Sequence, residues 1–111
     1  MLSHDFLLVE TVPERIRYSD YDQSAMARIS DDFARKHWPE VFGAVDVYVD
    51  FYRNRAHGLA YHGTSILSPA MAQALLVQLE LVKDHSEECN KLKHLLTEAI
   101  QENKVVLHFG I

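Results

Sequence analysis

A chain of 111 residues, 48% apolar and with a single cysteine (Cys89), is long enough for one hydrophobic core, too short for two comfortable domains, and unable to close an internal disulfide. Its net charge of −5, with basic residues scattered in pairs, argues against direct nucleic-acid binding, which needs a clustered basic footprint. No apolar run approaches the ~20 residues of a membrane span, and the first ten residues lack the basic region and small-residue cleavage site of a signal peptide, so one domain over residues 1–111 in the reducing cytoplasm is expected.

Residues 6–12 (FLLVETV) form an apolar run of strand length that Pro13 ends. In Tyr18-Ser19-Asp20-Tyr21-Asp22-Gln23, Asp20 with Gln23 three places on reads as a capping box. It predicts a helix from about Tyr21, with Met26, Ile29 and Phe33 as an apolar stripe and an end before Pro39. Ser30 is a second candidate cap, in which case the segment is a loop followed by a short helix.

Residues 39–55 fit two periods. As a strand, Val45, Val47, Val49 and Phe51 share one side, and their β-branched density suits it. As a helix, Pro39 and Glu40 sit in the first turn while Asp46, Asp50, Arg53 and Asn54 share a polar face. The length of the segment favours the helix. Gly58 and Gly63 then bracket a short apolar piece and Thr64 to Leu67 reads as extended, which predicts a strand or hairpin-like excursion over 59–67.

Ser68-Pro69 is a strong helix start, because the serine hydroxyl can cap and proline at the first position gives up no hydrogen bond. Met71, Leu75, Leu79 and Val82 make a stripe widened by Ala72, Leu76 and Val77, which predicts a central, buried helix. Asp84 or Ser86 caps the next helix, with Cys89, Leu92, Leu95, Leu96, Ala99 and Ile100 as its stripe and Asn103 as its stop. Residues 104–109 (KVVLHF) close the chain as a strand. Val105, Leu107 and Phe109 point to one face and Val106 and His108 to the other, so that strand should be central. The sum is an α+β domain, about four helices packed on a small sheet of short strands.

The chemistry is sparse. Of seven histidines, His57 and His62 flank Gly58 at a spacing that could serve acid–base work, against the reading that they are ordinary loop histidines. His85 and Cys89 lie one helical turn apart, but two ligands do not make a structural zinc site. Ser65 and Ser68 lack a nucleophile-elbow setting, and no phosphate loop, GxGxxG or HExxH occurs. No catalytic, cofactor-binding or metal residue is assigned, and no cofactor is expected.

Charge carries more. Asp20, Asp22, Asp31, Asp32, Asp46 and Asp50 fall within one span, and an acidic face built from them would suit a basic partner; the alternative is a solvated surface that serves solubility. Tyr18 and Tyr21 beside these aspartates have the composition of a hot spot, extended by Trp38 and Tyr52, or else merely staple a helix entry. The candidate partner-binding residues are therefore Asp20, Tyr21, Asp22, Asp31, Asp32, Asp46 and Asp50.

The span HGLAYHGTSILSPAMAQALLVQL, followed by a second helix and a terminal KVVLHFGI, resembles small bacterial immunity proteins of the contact-dependent growth inhibition type, particularly those that neutralise ribonuclease toxins. The resemblance covers roughly the last half of the chain and rests on structural features. It implies stoichiometric binding that blocks a toxin's active site, with acidic side chains standing in for nucleic-acid phosphates. The expected function is thus an inhibitor of a cognate basic toxin domain, a nuclease. The alternatives are a small partner-binding or regulatory domain of phage or bacterial origin, and a small enzyme using His57 and His62.

Overall fold

The structure is a computed structural model and describes residues 2–49 and 54–111. Among these residues six strands, β1 (Ser3–Val9), β2 (Ala27–Ser30), β3 (Asp46–Val49), β4 (Asn54–His57), β5 (Thr64–Leu67) and β6 (Val105–Phe109), form one antiparallel sheet in the order β2-β1-β6-β5-β3-β4. The α-helices of the described residues are α1 (Asp31–Lys36), α2 (Pro69–Leu81) and α3 (Glu87–Glu102), with a wide helical turn at Trp38–Phe42. The architecture is α+β.

The C-terminal half follows local chemistry closely. The Ser68 hydroxyl accepts the Met71 N–H at 3.3 Å with Pro69 at the first turn, and the Ser86 hydroxyl accepts the Cys89 N–H at 3.3 Å. Asp84 supports the second cap by accepting the Ser86 N–H at 2.8 Å. Asn103 takes the left-handed conformation (φ 54°, ψ 46°) that ends α3, and β6 then enters between β1 and β5 as its two apolar faces require.

The first half departs from its local signals. A helix from Tyr21 is not formed: Asp22, not Asp20, caps a single tight turn at Gln23–Ala25, and Ala27–Ser30 joins the sheet as β2. Met26 therefore lies between the turn and β2, Ile29 on β2 and Phe33 on α1, and only Ser30 acts as the cap of a short α1, accepting the Phe33 N–H at 3.2 Å. The edge of β1 recruited this segment as a partner strand, and tertiary pairing overrode helical spacing. The favoured helix over 39–55 is likewise overturned, because Asp46–Val49 is a strand paired with β4 and touching β5 at Tyr48 and Ile66. Residues 50–53 lie outside the described residues. The excursion over 59–67 is a strand only at Thr64–Leu67, and the polar edge strand β4 had no hydrophobic pattern to announce it.

Each face of the sheet has its own apolar cluster. Phe6, Ile29, Val47, Leu67 and Val106 face α2 and α3, which contribute Met71, Leu75, Leu79, Leu92 and Leu96. On the opposite face Ile66, Leu107 and Phe109 are covered by Val12, Ile16, Tyr18, Tyr21 and Met26 of the irregular segment between β1 and β2. α2 is not buried all round: its inner side holds Met71, Ala72, Leu75 and Leu79, while Val77 and Leu81 are 44% and 67% exposed. Among the described residues no helix is long and apolar enough to cross a membrane.

Candidate functional site

The segment 10–26 is irregular, yet side chains fix it to the sheet. Arg28 and Asp5 are direct cross-strand partners on β2 and β1, and the guanidinium Nε donates to Asp5 Oδ1 at 2.8 Å. The Tyr18 hydroxyl donates to the other carboxylate oxygen at 2.5 Å and accepts from Arg28 Nη2 at 3.2 Å. Its bond to the Asp5 carboxylate pushes the Tyr18 pKa up. Gln23, the intended reciprocal partner of a capping box, instead accepts from Arg28 at 3.3 Å. The Tyr18 and Tyr21 rings pack on Phe109, with centroids at 5.1 and 6.0 Å, and burial raises the Tyr21 pKa.

The consequence is a pinned tip whose acids point outward. Asp20 and Asp22 are both exposed. Asp22 accepts the Ser24 N–H at 2.9 Å and hydroxyl at 2.7 Å, and these bonds hold its pKa down. Neither acid has a basic partner among the described residues.

The remaining acids do not join them in one patch. Asp46 shares the face of Ile66 and Leu107 through the Tyr48 register, but it already has partners, His57 at 3.0 Å and Arg55 at 3.5 Å, and the His57 hydrogen bond lowers its pKa. Asp32 is exposed in the first turn of α1 and pairs with Arg35 at 3.0 Å. Asp31 is a correction to the expected exposed set, because it is buried: it accepts the Tyr61 hydroxyl and lies 3.1 Å from Arg35 Nε and 3.4 Å from His4 Nε2. The Tyr61 bond leads in lowering its pKa. Asp50 and Tyr52 lie outside the described residues. Trp38 does not extend the tyrosine pair either; it packs on Tyr61 at 4.8 Å and His4 at 5.4 Å, on the helical side.

The other histidine candidates separate as well. His57 is bound to Asp46, whereas His62 Nδ1 bonds to the Ile111 carbonyl at 3.0 Å, so the two answer to different partners. Cys89 is fully buried, burial raises its thiol pKa, and no group of three metal-binding side chains occurs among the described residues. His85 instead lines a groove of about 770 Å³ between α3 and the β1–β2 edge, with Leu8, Met26, Lys91 and His94.

A buried polar chain was missed by the sequence reading. Ser65 and His108 are cross-strand partners on β5 and β6, and His4 on β1 lies diagonal to His108, all three fully buried on the helical face. The contacts are Ser65 Oγ to His108 Nδ1 at 3.2 Å, His108 Nε2 to His4 Nδ1 at 3.1 Å, and His4 Nε2 to Asp31 Oδ1 at 3.4 Å. The carboxylate only accepts, so His4 carries its proton on Nε2. His4 Nδ1 is then an acceptor, His108 donates from Nε2, and Ser65, which accepts the Ala60 N–H at 2.8 Å, donates its hydroxyl to His108 Nδ1. Every ring nitrogen is satisfied with both imidazoles neutral. Burial drives the His108 pKa down to about 3, and burial likewise lowers that of His4 against the pull of Asp31. The chain could relay a proton, but its Ser65 oxygen is enclosed and presents no nucleophile to solvent. A sequence signal for it lies in alternation, His4 sharing a strand face with Phe6 and His108 with Val106, but the expected first strand began at residue 6 and left His4 out.

No family model, no curated protein and no solved structure matches the chain.

Proposed function

We propose that the chain acts by binding rather than turnover, as a cytoplasmic immunity protein that occupies the basic cleft of a cognate toxin domain, a nuclease, with the Asp20–Asp22 tip. One observation carries this reading: among the described residues Asp20 and Asp22 are carboxylates without a basic partner, on a loop held by the Tyr18–Asp5–Arg28 bonds and by Tyr21 on Phe109. Preorganised acids lose little freedom on meeting cationic side chains, and their charge steers encounter as well as affinity. Matched acids such as Asp46 and Asp32 would have to exchange existing partners first. The resemblance of the C-terminal half to contact-dependent growth inhibition immunity proteins supports the same class, with the helices and β6 as scaffold and the acidic tip as the variable element.

The test is calorimetry against the basic C-terminal domain of any large secreted protein encoded beside this chain. Asp20→Lys with Asp22→Lys should weaken binding at least about 100-fold, because each replaces an attraction by a repulsion, whereas Asp32→Lys should cost far less. Equal affinity of the doubly substituted and unchanged proteins would remove the tip from the interface.

A further inference from the structure

His4 and His108 are joined edge to edge rather than stacked. Their planes differ by 8°, and centroids 5.3 Å apart with the facing nitrogens at 3.1 Å leave room for little more than the two ring radii, so the line from Nδ1 to Nε2 runs in a common plane. In that geometry the lone pair of either nitrogen points at a proton on the other, and the bond is equally linear whichever ring donates. The two ends of the chain differ. Asp31 only accepts, which fixes a proton on His4 Nε2, whereas the Ser65 hydroxyl donates or accepts. One fixed end and one reversible end give the chain two complete settings.

In the neutral setting every group donates toward Asp31. A proton taken from water onto His4 Nδ1 forces the second setting. His4 then donates from both nitrogens, to Asp31 and to His108 Nε2, and His108 moves its own proton from Nε2 to Nδ1 and stays neutral. Ser65 keeps its hydroxyl proton while its two lone pairs accept from His108 Nδ1 and from the Ala60 N–H. The balance is one proton gained, with every ring nitrogen still bonded. The 3.4 Å contact to Asp31 is long for a charge-assisted bond and can shorten once His4 is a cation.

The surroundings decide where that proton rests. From α1, His4 faces Asp31, which Arg35 and Tyr61 also hold; Asp5 of its own strand adds a second attraction, while His62 of the loop after Gly58 opposes a cation. Its other neighbours, Ile29 across on β2 and the rings of Trp38 and Tyr61, bring no charge. Burial holds His108 down to about 3, and the charge acting on it is that of His4, so a second proton there would set two cations against each other at 3.1 Å. We propose that Ser65, His108, His4 and Asp31 form a one-proton switch, in which a single proton at His4, paired with Asp31, reverses the hydrogen bonds between His4 and Ser65 while His108 remains neutral. Both ends of the switch also anchor the loop over 58–63, Asp31 through the Tyr61 hydroxyl and Ser65 through the Ala60 N–H, so the loop feels its setting. The device lies on the helical face, and its success or failure is independent of the proposed inhibitor role.

The test follows the histidine ring nitrogens of the full chain by long-range proton–nitrogen correlation from about pH 7 to about pH 4, below the ordinary histidine value, where a lowered group titrates. Both rings should start neutral with their protons on Nε2. His4 should then become a cation while His108, in the same step, trades its Nε2 proton for one on Nδ1, and the Ala60 amide should shift with the same midpoint. Trp38, the one tryptophan of the chain, has its ring 5.4 Å from that of His4, so its fluorescence should be quenched in that step. Asp31→Asn should lower the proton affinity of His4 at least about tenfold, because the cation loses its counter-charge. His108 holding its Nε2 proton beside a charged His4 overturns the proposal, as does charging of both rings together, or loss of amide dispersion before either ring changes. An unchanged His4 midpoint in Asp31→Asn overturns the pairing; should that variant not fold, the ring nitrogens of the unchanged protein decide alone.

Discussion

The sheet's two faces are closed by different means. On one, α2 and α3 lay down a continuous apolar layer in which Leu75, Leu79, Leu92 and Leu96 are wholly buried. On the other, an irregular segment is held by a few directional contacts, Tyr18 to Asp5, Arg28 to Asp5, and two tyrosine rings on Phe109. Area removed from water stabilises the first face, while hydrogen-bond and ring geometry orders the second. The contrast assigns stability to the helical side and presentation of charge to the loop side.

The largest expected effects lie in the helical layer. Leu75→Ala or Leu96→Ala leaves a cavity among side chains that cannot collapse and should lower stability by about 2–5 kcal/mol, measured by urea unfolding. Leu107→Ala, equally buried but on the loop-covered face, should cost less because the covering segment can settle into the space. Equal losses would mean that the loop packs as tightly as the helices.

Next comes the polar chain inside the helical face. A histidine whose folded pKa lies below its unfolded value near 6.5 costs nothing at pH 7 and weakens the fold as pH falls below 6.5, until the folded pKa is reached. For His108, held down to about 3, the loss should accumulate at up to about 1.4 kcal/mol per pH unit across that window. His4, also lowered, acts in the same direction. Unfolding free energies from pH 7 to 4 should therefore fall more steeply for the unchanged protein than for His108→Gln, which has no proton to gain at that position. Parallel slopes would show that the buried imidazoles do not titrate on unfolding.

How far these features were legible depended on the range of the contacts that make them. Ser68-Pro69, Ser86 and Asn103 act within four residues, so α2, α3 and their ends could be read directly. The spacing of Met26, Ile29 and Phe33 pointed to a helix because the competing partner, the edge of β1, lies over twenty residues away in sequence. Asp31 illustrates the same limit for the candidate site. Its carboxylate looked exposed by charge alone, and only the arrival of His4 and Tyr61 from distant elements buried it. Asp20 and Asp22 kept their expected exposure because their neighbours are all local.

Smaller changes probe the loop side. Tyr18→Phe removes one hydrogen bond to Asp5 while Arg28 and Ser3 still serve that carboxylate, so a loss of about 1–2 kcal/mol is expected. Its greater consequence should be on the tip: with the tyrosine clamp loosened, amide hydrogen exchange across 18–25 should accelerate at unchanged rates in α2 and α3. Uniform acceleration over the whole chain would mean that the clamp belongs to the core.

The smallest effect on stability is the one that separates presentation from packing. Asp20→Lys and Asp22→Lys alter side chains that touch solvent and, for Asp22, only Ser24; together they should change unfolding free energy by less than about 0.5–1 kcal/mol, the upper part reflecting the lost Ser24 bonds. The same pair is expected to abolish capture of the proposed basic partner. A protein that keeps its fold and loses its partner ties recognition to the tip. One that loses both would place Asp22 among the supports of the sheet, and the functional division between the two faces would fail at the residue meant to define it.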